Sequence, residues 1–399
     1  MRRRRFMQML SATLAAAAGT SGRSLAANDA RRLIVFYNKG GWDPSYVFDP
    51  HFGQDSVDGD SLSTSALING INFADADSRP SVRGLFESFG DKIAVVNGLR
   101  VPSISHTMGA RLLMTGGRAS DAPDITSLVA SNFGMDLPLP HLVLSGPRYP
   151  GNISGMMVPV SFTMSGTASG ELPVDWSVED DQQAALDQYL SEQYMGLQPT
   201  ERLNQDLAMA WQRRLSLRDN FGLTVDRDSP VSQQIANIIT SFSEGLSCCA
   251  TIQSEMPEFA DWDSHYNNYV NQDAAYEFSF EQLQQLLESL DEAALLNTTT
   301  VLVVSEMGRT PLENSLSGKD HWPYTSAMII GAGVDGGRVL GATDENLLGL
   351  PVDYASGQPS SAGAEIDISN LHSGLLLSMG IDSELYFPGV SPFLAPFST

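Results

Sequence analysis

Short, mostly apolar runs that end at glycine or polar residues constrain the fold of this chain more than any other feature. Three such runs, at residues 32–37, 93–97 and 298–305, are rich in valine, isoleucine or threonine. Shorter runs occur at residues 141–144 and 327–330. Uninterrupted apolar runs of this length indicate strands buried on both faces, because a strand with one face in water alternates apolar and polar residues. Sheets built from such strands are covered by helices on both sides.

Helical patterns lie between these runs. Residues 105–115 predict a helix that Gly116 and Gly117 close, and residues 366–377 predict the last helix of the chain. Residues 278–296 give the clearest pattern, because apolar side chains recur there at steps of three and four. The side chains predicted to face inward are Phe280, Leu283, Leu286, Leu287, Leu290 and Ala294. Strands that alternate with helices in this way predict an α/β fold with a parallel or mostly parallel sheet.

The stretch from about residue 165 to residue 230 interrupts this alternation. It contains two helical patterns, around residues 184–197 and 201–218, that are rich in glutamine, leucine and arginine. We therefore predict that this stretch is a helical insertion or cap on the α/β core.

The first 26 residues resemble a twin-arginine signal peptide. Arg3-Arg4-Arg5-Phe6-Met7-Gln8 fits the twin-arginine pattern, and an apolar, alanine-rich stretch follows at residues 9–19. Small residues at Ser24 and Ala26 fit a signal-peptidase site. The apolar stretch is too short to span a bilayer stably. We therefore expect export through the twin-arginine translocase to the periplasm or the extracellular space.

The charge of the chain excludes some partners. The formal net charge is −24, and removal of the five arginines of the signal makes it more negative still. Such a surface repels nucleic acid and anionic lipid. Since no later run reaches about 18 apolar residues, we predict no membrane span in the mature chain. The two cysteines, Cys248 and Cys249, are adjacent, which favours buried thiols over a strained vicinal disulfide.

Polar residues recur where the predicted strands end. Asp43 follows the first strand, Ser105 and His106 follow the second, and Glu306 and Arg309 follow the strongest one. Because the carboxyl ends of parallel strands meet at one edge of a sheet, we expect these side chains to approach one another. Each also has a structural interpretation: Asp43 as a turn or cap residue, Ser105 as a helix N-cap, and Glu306 with Arg309 as a salt bridge.

Two further segments contain carboxylates beside imidazoles. Asp263 and His265 lie two residues apart in DWDSHYNN, and His321 follows Asp320 in DHWP. Carboxylates and imidazoles in one crevice form sites for divalent ions such as zinc, manganese or iron. The remaining histidines have no such neighbours, and we interpret them as structural or solvent-facing: His51, His141 and His372.

Several segments together resemble an exported family known as domain of unknown function 1501. They are NKGGWD (38–43), ISHTMGARLLMTGG (104–117), DWDSHYNN (261–268), VLVVSEMGRTPLEN (301–314), GKDHWPYTSAMIIGAGVDGGRVLGATDE (318–345) and LLLSMGID (375–382). That family is similar to the alkaline phosphatase and sulfatase superfamily. The resemblance implies an α/β/α sandwich over residues 30–399, interrupted by the helical insertion, with a metal-assisted ester-hydrolase site at the strand ends.

The resemblance also implies roles for individual residues. The metal ligands it implies are Asp43, Asp263, His265, Glu306 and His321, and His106 is a further candidate. Ser105 or Thr107 lies where the helix that carries the nucleophile begins, and Arg309 would neutralise the substrate or hold Glu306. The chain departs from the superfamily where Glu306-Met307 stands in place of Asp-His, and it lacks the sulfatase nucleophile motif.

These observations predict an exported hydrolase of a phosphate or sulfate ester that depends on a divalent ion: zinc, manganese, calcium or magnesium. Its substrate would be a small anionic ester or a glycan. The alternative is a non-catalytic binding or assembly protein of the cell envelope on the same fold.

Overall fold

The computed structural model describes residues 31–159 and 230–398. The predicted signal peptide lies outside the described residues, as does the predicted insertion apart from its last residue. No helix in the described ranges combines the length and apolarity that a membrane crossing requires.

The described residues form thirteen strands and six α-helices. The strands are β1 (Arg32–Asn38), β2 (Thr64–Ile68), β3 (Ile71–Asp75), β4 (Ile93–Arg100), β5 (His141–Val143), β6 (Met157–Pro159), β7 (Cys249–Gln253), β8 (Thr299–Ser305), β9 (Gly308–Arg309), β10 (His321–Trp322), β11 (Tyr324–Gly331), β12 (Arg338–Leu340) and β13 (Ile366–Asp367). The helices are α1 (Pro80–Phe89), α2 (His106–Thr115), α3 (Ile125–Phe133), α4 (Val231–Ser243), α5 (Asn268–Glu292) and α6 (Ile368–Ser378).

The main sheet has nine strands and is mostly parallel, as the sequence predicts. Its order is β12-β4-β11-β8-β1-β7-β5-β6, and β13 also pairs with β4. Only β11 among these strands runs antiparallel to its neighbours, β4 and β8. Two small ladders, β2 with β3 and β9 with β10, lie outside the main sheet.

Side chains alternate between two apolar cores, one on each face of the sheet. Along β1, Ile34 and Phe36 join the core that α1, α4 and α5 cover, whereas Leu33 and Val35 join the core that α2, α3 and α6 cover. All four side chains are completely buried. This arrangement explains the uninterrupted apolar runs, because both faces of each central strand contact helices. The α/β/α sandwich is therefore confirmed.

Two details of helix α5 differ from the sequence prediction. The helix begins at Asn268, ten residues before the predicted start, because its first turns bury polar side chains such as Asn268 and Gln272. A search for apolar periodicity cannot detect those turns. At the other end, Ala294 was predicted to face inward but is exposed, since the helix stops at Glu292 and Ala294 adopts a left-handed backbone with φ of 57°.

Strand β7, which lies beside β1 at the centre of the sheet, was not predicted from the sequence. It is only five residues long, and it begins at Cys249. Cys248 and Cys249 are buried free thiols, as predicted.

The buried histidine His372 on helix α6 gives the fold an acid-sensitive point. Its side chain is completely buried, and neither ring nitrogen has a hydrogen-bond partner among the described residues. The ring packs against Phe387, with 5.9 Å between the ring centroids. Burial lowers the pKa of His372 to about 3.

We therefore expect His372→Leu to reduce the loss of stability on acidification. Above about pH 6.5 the imidazole is neutral in both states and contributes nothing to pH dependence. As the pH falls from about 6.5 towards 3, His372 becomes protonated in the unfolded chain but stays neutral in the folded chain. The free energy of unfolding therefore falls. At pH 4 this amounts to about 3 kcal/mol at ~1.4 kcal/mol per pH unit. Urea unfolding at pH 4 and pH 7.5 measures the difference. His51→Leu is the control, because neighbouring Asp49 raises the pKa of His51 and its loss should not protect against acid.

Candidate metal centre

The loops that follow β1 and β8 build one side of the site. These strands pair in parallel with Asn38 opposite Ser305, so their loops leave the sheet together. The Gly40 N–H donates to both carboxylate oxygens of buried Glu306, at 2.9 and 3.1 Å. Gly40 has a φ of 129°, and a Cβ there would lie 2.7 Å from the Trp262 Cβ. Glycine at this position therefore lets the segment with Trp262 and Asp263 pack against the loop.

Asp263 is the hub of the polar cluster. Its Oδ2 lies 3.2 Å from His106 Nε2. Its Oδ1 lies 3.1 Å from His321 Nε2, 3.2 Å from His265 Nε2 and 2.8 Å from Arg309 Nη2. Burial opposes its ionisation, yet the adjacent side chains of His106, His321 and Arg309 hold the pKa of Asp263 well below its usual range. Asp263 is therefore an anion on which three imidazoles converge.

The outer nitrogen of each imidazole is held by an oxygen acceptor. The Nδ1 distances are 2.7 Å from His106 to Glu306, 2.9 Å from His265 to Asp320, and 2.7 Å from His321 to the carbonyl of Ile104. Each Nε2 then points towards Asp263, and the Nε2 atoms of His265 and His321 are 3.0 Å apart. Histidines that bind metals are held in this way, because a partner on one nitrogen fixes the tautomer and orients the other.

The residues present fit a divalent metal. The ligand atoms of His106, Asp263 and His321 all lie within 4.8 Å of one another. The buried His106 Nε2 is close to Asp263 but makes no hydrogen bond with any described residue. The carboxylates of Asp263 and Glu306 raise the pKa of His106 to about 9. A set of imidazole and carboxylate donors around one point suits zinc or manganese better than calcium or magnesium, which prefer oxygen ligands alone.

Two of the acidic residues predicted as ligands lie outside this close group of three. Glu306 contacts the far nitrogen of His106 instead of the common point. Asp43 is completely buried and its carboxylate lies 2.8 Å from the ammonium of Lys319. Asn268 also donates to Asp43, at 2.9 Å.

Arg309 contacts Asp263 from the protein interior and does not face the solvent. It is completely buried, and its N–H groups donate to the carbonyls of Gly40, Gly41 and Lys319 as well as to Asp263. Arg309 thus holds Asp263, whereas the prediction from the sequence was that it holds Glu306 or neutralises the substrate.

The two candidate nucleophiles lie at the start of helix α2. Ser105 occupies the N-cap position, but its side chain makes no capping hydrogen bond. Thr107 is exposed and lines a cleft of about 870 Å³ together with His106 and Asp263. The predicted helix from Ser105 therefore brings Thr107 into the cleft that His106 and Asp263 also line.

The wall of this cleft is acidic and partly aromatic. Glu258 and Asp261 line it, and so do the rings of Phe259 and Tyr266, which are exposed by 65% and 60%. Lys39 is the one lysine or arginine among the described lining residues. Acidic side chains therefore outnumber basic ones among the described residues that line the cleft.

Sequence reasoning missed the partners that orient the site. Lys319 and Asp320 lie in the quoted segment GKDHWP, but nothing in the spacing shows that Lys319 is buried against Asp43. Asn268 and Gln272 belong to the helical turns that the apolar pattern does not reveal. A signal was available in DWDSHYNN, where a dense run of polar residues directly precedes a long helix.

Together these features define an α/β protein with a candidate metal centre at the carboxyl edge of its sheet. The chain belongs to the family described as "Protein of unknown function (DUF1501)", whose model matches residues 30–392. The predicted family membership is therefore confirmed. Among proteins with curated descriptions, none matches this sequence.

Solved structures similar to this chain include sulfatases and members of the alkaline phosphatase superfamily. Ps i-CgsB in complex with k-i-k-neocarrahexaose is 12% identical, with a TM-score of 0.44, over 92% of this chain and 76% of that one. An alkaline phosphatase superfamily protein from Vibrio parahaemolyticus is 12% identical, with a TM-score of 0.42, over 92% of this chain and 71% of that one. The phosphonate monoester hydrolase SpPMH from Silicibacter pomeroyi is 12% identical, with a TM-score of 0.42, over 93% of this chain and 77% of that one.

Proposed function

We propose that this protein is an exported, metal-dependent hydrolase of a phosphate or sulfate ester. One observation carries the proposal: three imidazoles direct their Nε2 atoms at Asp263, while an oxygen acceptor holds each Nδ1. Imidazoles that converge on one carboxylate, each with its other nitrogen held by an oxygen acceptor, are an arrangement that metal sites commonly use.

His106, Asp263 and His321 would hold the metal, and His265 borders it through Asp263 and His321. A bound divalent metal would act as a Lewis acid that stabilises charge on the ester oxygens. Glu306 and Asp320 would fix the orientation of His106 and His265. The side chains of His106 and Asp263 are 34% and 35% exposed, so the centre is open to the cleft.

Thr107 is the better of the two candidate nucleophiles. Thr107 lines the same cleft as the metal centre, whereas Ser105 does not line it. A hydroxyl in the first turn of helix α2 also lies where free backbone N–H groups and the helix dipole favour an anion. Ser105 remains the alternative at the N-cap.

The substrate would be a small anionic ester or an esterified glycan that enters the cleft. The protein would act in the periplasm or outside the cell, after export by the twin-arginine translocase. That route carries folded proteins, so the metal could be inserted before export.

Metal analysis and ester turnover test this proposal together. Signal-processed protein should be loaded with zinc or manganese, dialysed, and assayed against aryl phosphates and aryl sulfates. The proposal predicts stoichiometric metal and turnover that His321→Ala abolishes. Less than about 0.1 metal per chain after loading would contradict a tight site.

The rival is a binding or assembly protein of the cell envelope that uses the same cleft. The burial of Arg309 favours it, because that guanidinium cannot reach a substrate anion. Metal that binds in full while no ester of the panel turns over would support the rival.

Glu306→Gln should weaken metal binding without unfolding the protein. Glutamine keeps the size of the side chain and an oxygen that can accept the Gly40 N–H. It removes the negative charge that strengthens His106 as a ligand, and losses of this kind reduce metal affinity by about 10- to 100-fold. Competition with a chromophoric chelator measures the affinity. Glu258→Gln, on the cleft wall, is the control and should leave the affinity within about twofold of wild type, because surface charges of this kind interact weakly.

A further inference from the structure

The carboxylate of Asp43 is fully occupied by donors from the protein itself. Its Oδ1 accepts the Ser45 N–H at 3.1 Å and the Ser45 hydroxyl at 2.7 Å. Its Oδ2 accepts the Asn268 amide at 2.9 Å and lies 2.8 Å from Lys319 Nζ. Four donors on two oxygens leave little capacity for a metal ion.

The ammonium of Lys319 is the cationic partner of Asp43. Its side chain and that of Asp43 are both completely buried. The ammonium also donates to Ser45 Oγ at 3.3 Å and lies 5.8 Å from the centroid of the Tyr46 ring. A metal on Asp43 would have to displace this ammonium into a buried environment without its counterion, which is costly.

The same lysine belongs to the segment that builds the candidate metal centre. Asp320 and His321 follow it directly, its carbonyl accepts from Arg309 at 3.0 Å, and its N–H donates to the Ser264 carbonyl at 3.0 Å. The Asp43–Lys319 pair therefore belongs to the buried residues that position the imidazoles and is not a separate surface feature.

We infer that this protein binds one divalent metal ion, at His106, Asp263 and His321, and that Lys319 closes Asp43 to a second ion. The first half of this statement rests on the proposed function. The second half rests on the four donors to Asp43 and on the complete burial of the pair.

Metal counting in wild type and in Asp43→Asn tests the inference. Asparagine keeps the shape of the side chain and one oxygen acceptor, so the inference predicts about one zinc per chain in both proteins by mass spectrometry of dialysed samples. Two ions in wild type, or the loss of an ion in Asp43→Asn, would overturn it. No metal in wild type would instead overturn the proposed function itself, so the two failures are distinguishable.

A double variant keeps the test valid if Asp43→Asn alone does not fold. If Asp43→Asn does not fold, the double variant Asp43→Asn with Lys319→Met removes both buried charges, and it should still bind one ion.

Discussion

Asp263→Asn should reduce metal affinity by at least about 100-fold. Loss of a residue that only orients a metal ligand reduces affinity by about 100-fold at most, and Asp263 is proposed to be a ligand itself. The reason is the position of Asp263, whose two carboxylate oxygens contact three imidazoles and one guanidinium. Asparagine keeps the shape but loses the charge, and its amide nitrogen would present N–H groups to donors. Ester turnover should fall with metal affinity. Chelator competition and activity at saturating metal separate the two effects.

Asp261→Asn is the matched control for this experiment. Asp261 lies two residues away, lines the same cleft, and accepts the backbone N–H of Asp263 at 2.9 Å. Asparagine can accept the same hydrogen bond, so metal affinity should stay within about threefold of wild type. Equal losses in the two variants would show that Asp263 acts through the loop conformation and not as a ligand.

Lys319→Met should lower the free energy of unfolding by about 3–5 kcal/mol, because it leaves the buried carboxylate of Asp43 without its counterion. Asn268 and Ser45 would still donate to that carboxylate, but neutral donors do not replace a full charge. Urea unfolding of the metal-free protein at neutral pH measures the loss without any contribution from bound ions.

The double variant Asp43→Asn with Lys319→Met shows whether this loss comes from the unpaired charge. With both charges removed, much of the stability should return, and the coupling between the two substitutions should be clearly non-additive. If the free energy of unfolding of Lys319→Met is within about 1 kcal/mol of the wild-type value, the Asp43–Lys319 pair does not stabilise the fold around the site.

The sequence predicts the central fold well because the physical signal is strong there. Strands β1 and β8 contain residues buried on both faces, so continuous apolarity marks them within one or two residues of their observed ends. Helix α2 is also marked clearly, since Gly116 adopts the left-handed conformation that ends it. Strand β7 escapes detection because CATIQ is short and contains polar residues.

The candidate site is predicted less completely, because side-chain partners depend on packing across distant segments. Acidic and imidazole residues at strand ends indicate a metal centre, and the structure brings His106, Asp263 and His321 together. The sequence does not show that Glu306 faces the far side of His106, or that Arg309 turns inward onto Asp263. Such choices follow from burial, which requires every charged group to find a partner.

Anomalous diffraction from crystals of the zinc-loaded protein tests the metal centre most directly. A zinc ion at this centre should give the strongest anomalous peak, at about 2.0–2.2 Å from His106 Nε2, His321 Nε2 and a carboxylate oxygen of Asp263. Glu306 and Asp320 should remain on the far nitrogens of their histidines. A strongest peak on Asp43 or elsewhere, or no peak in the presence of excess zinc, would contradict the proposed metal centre.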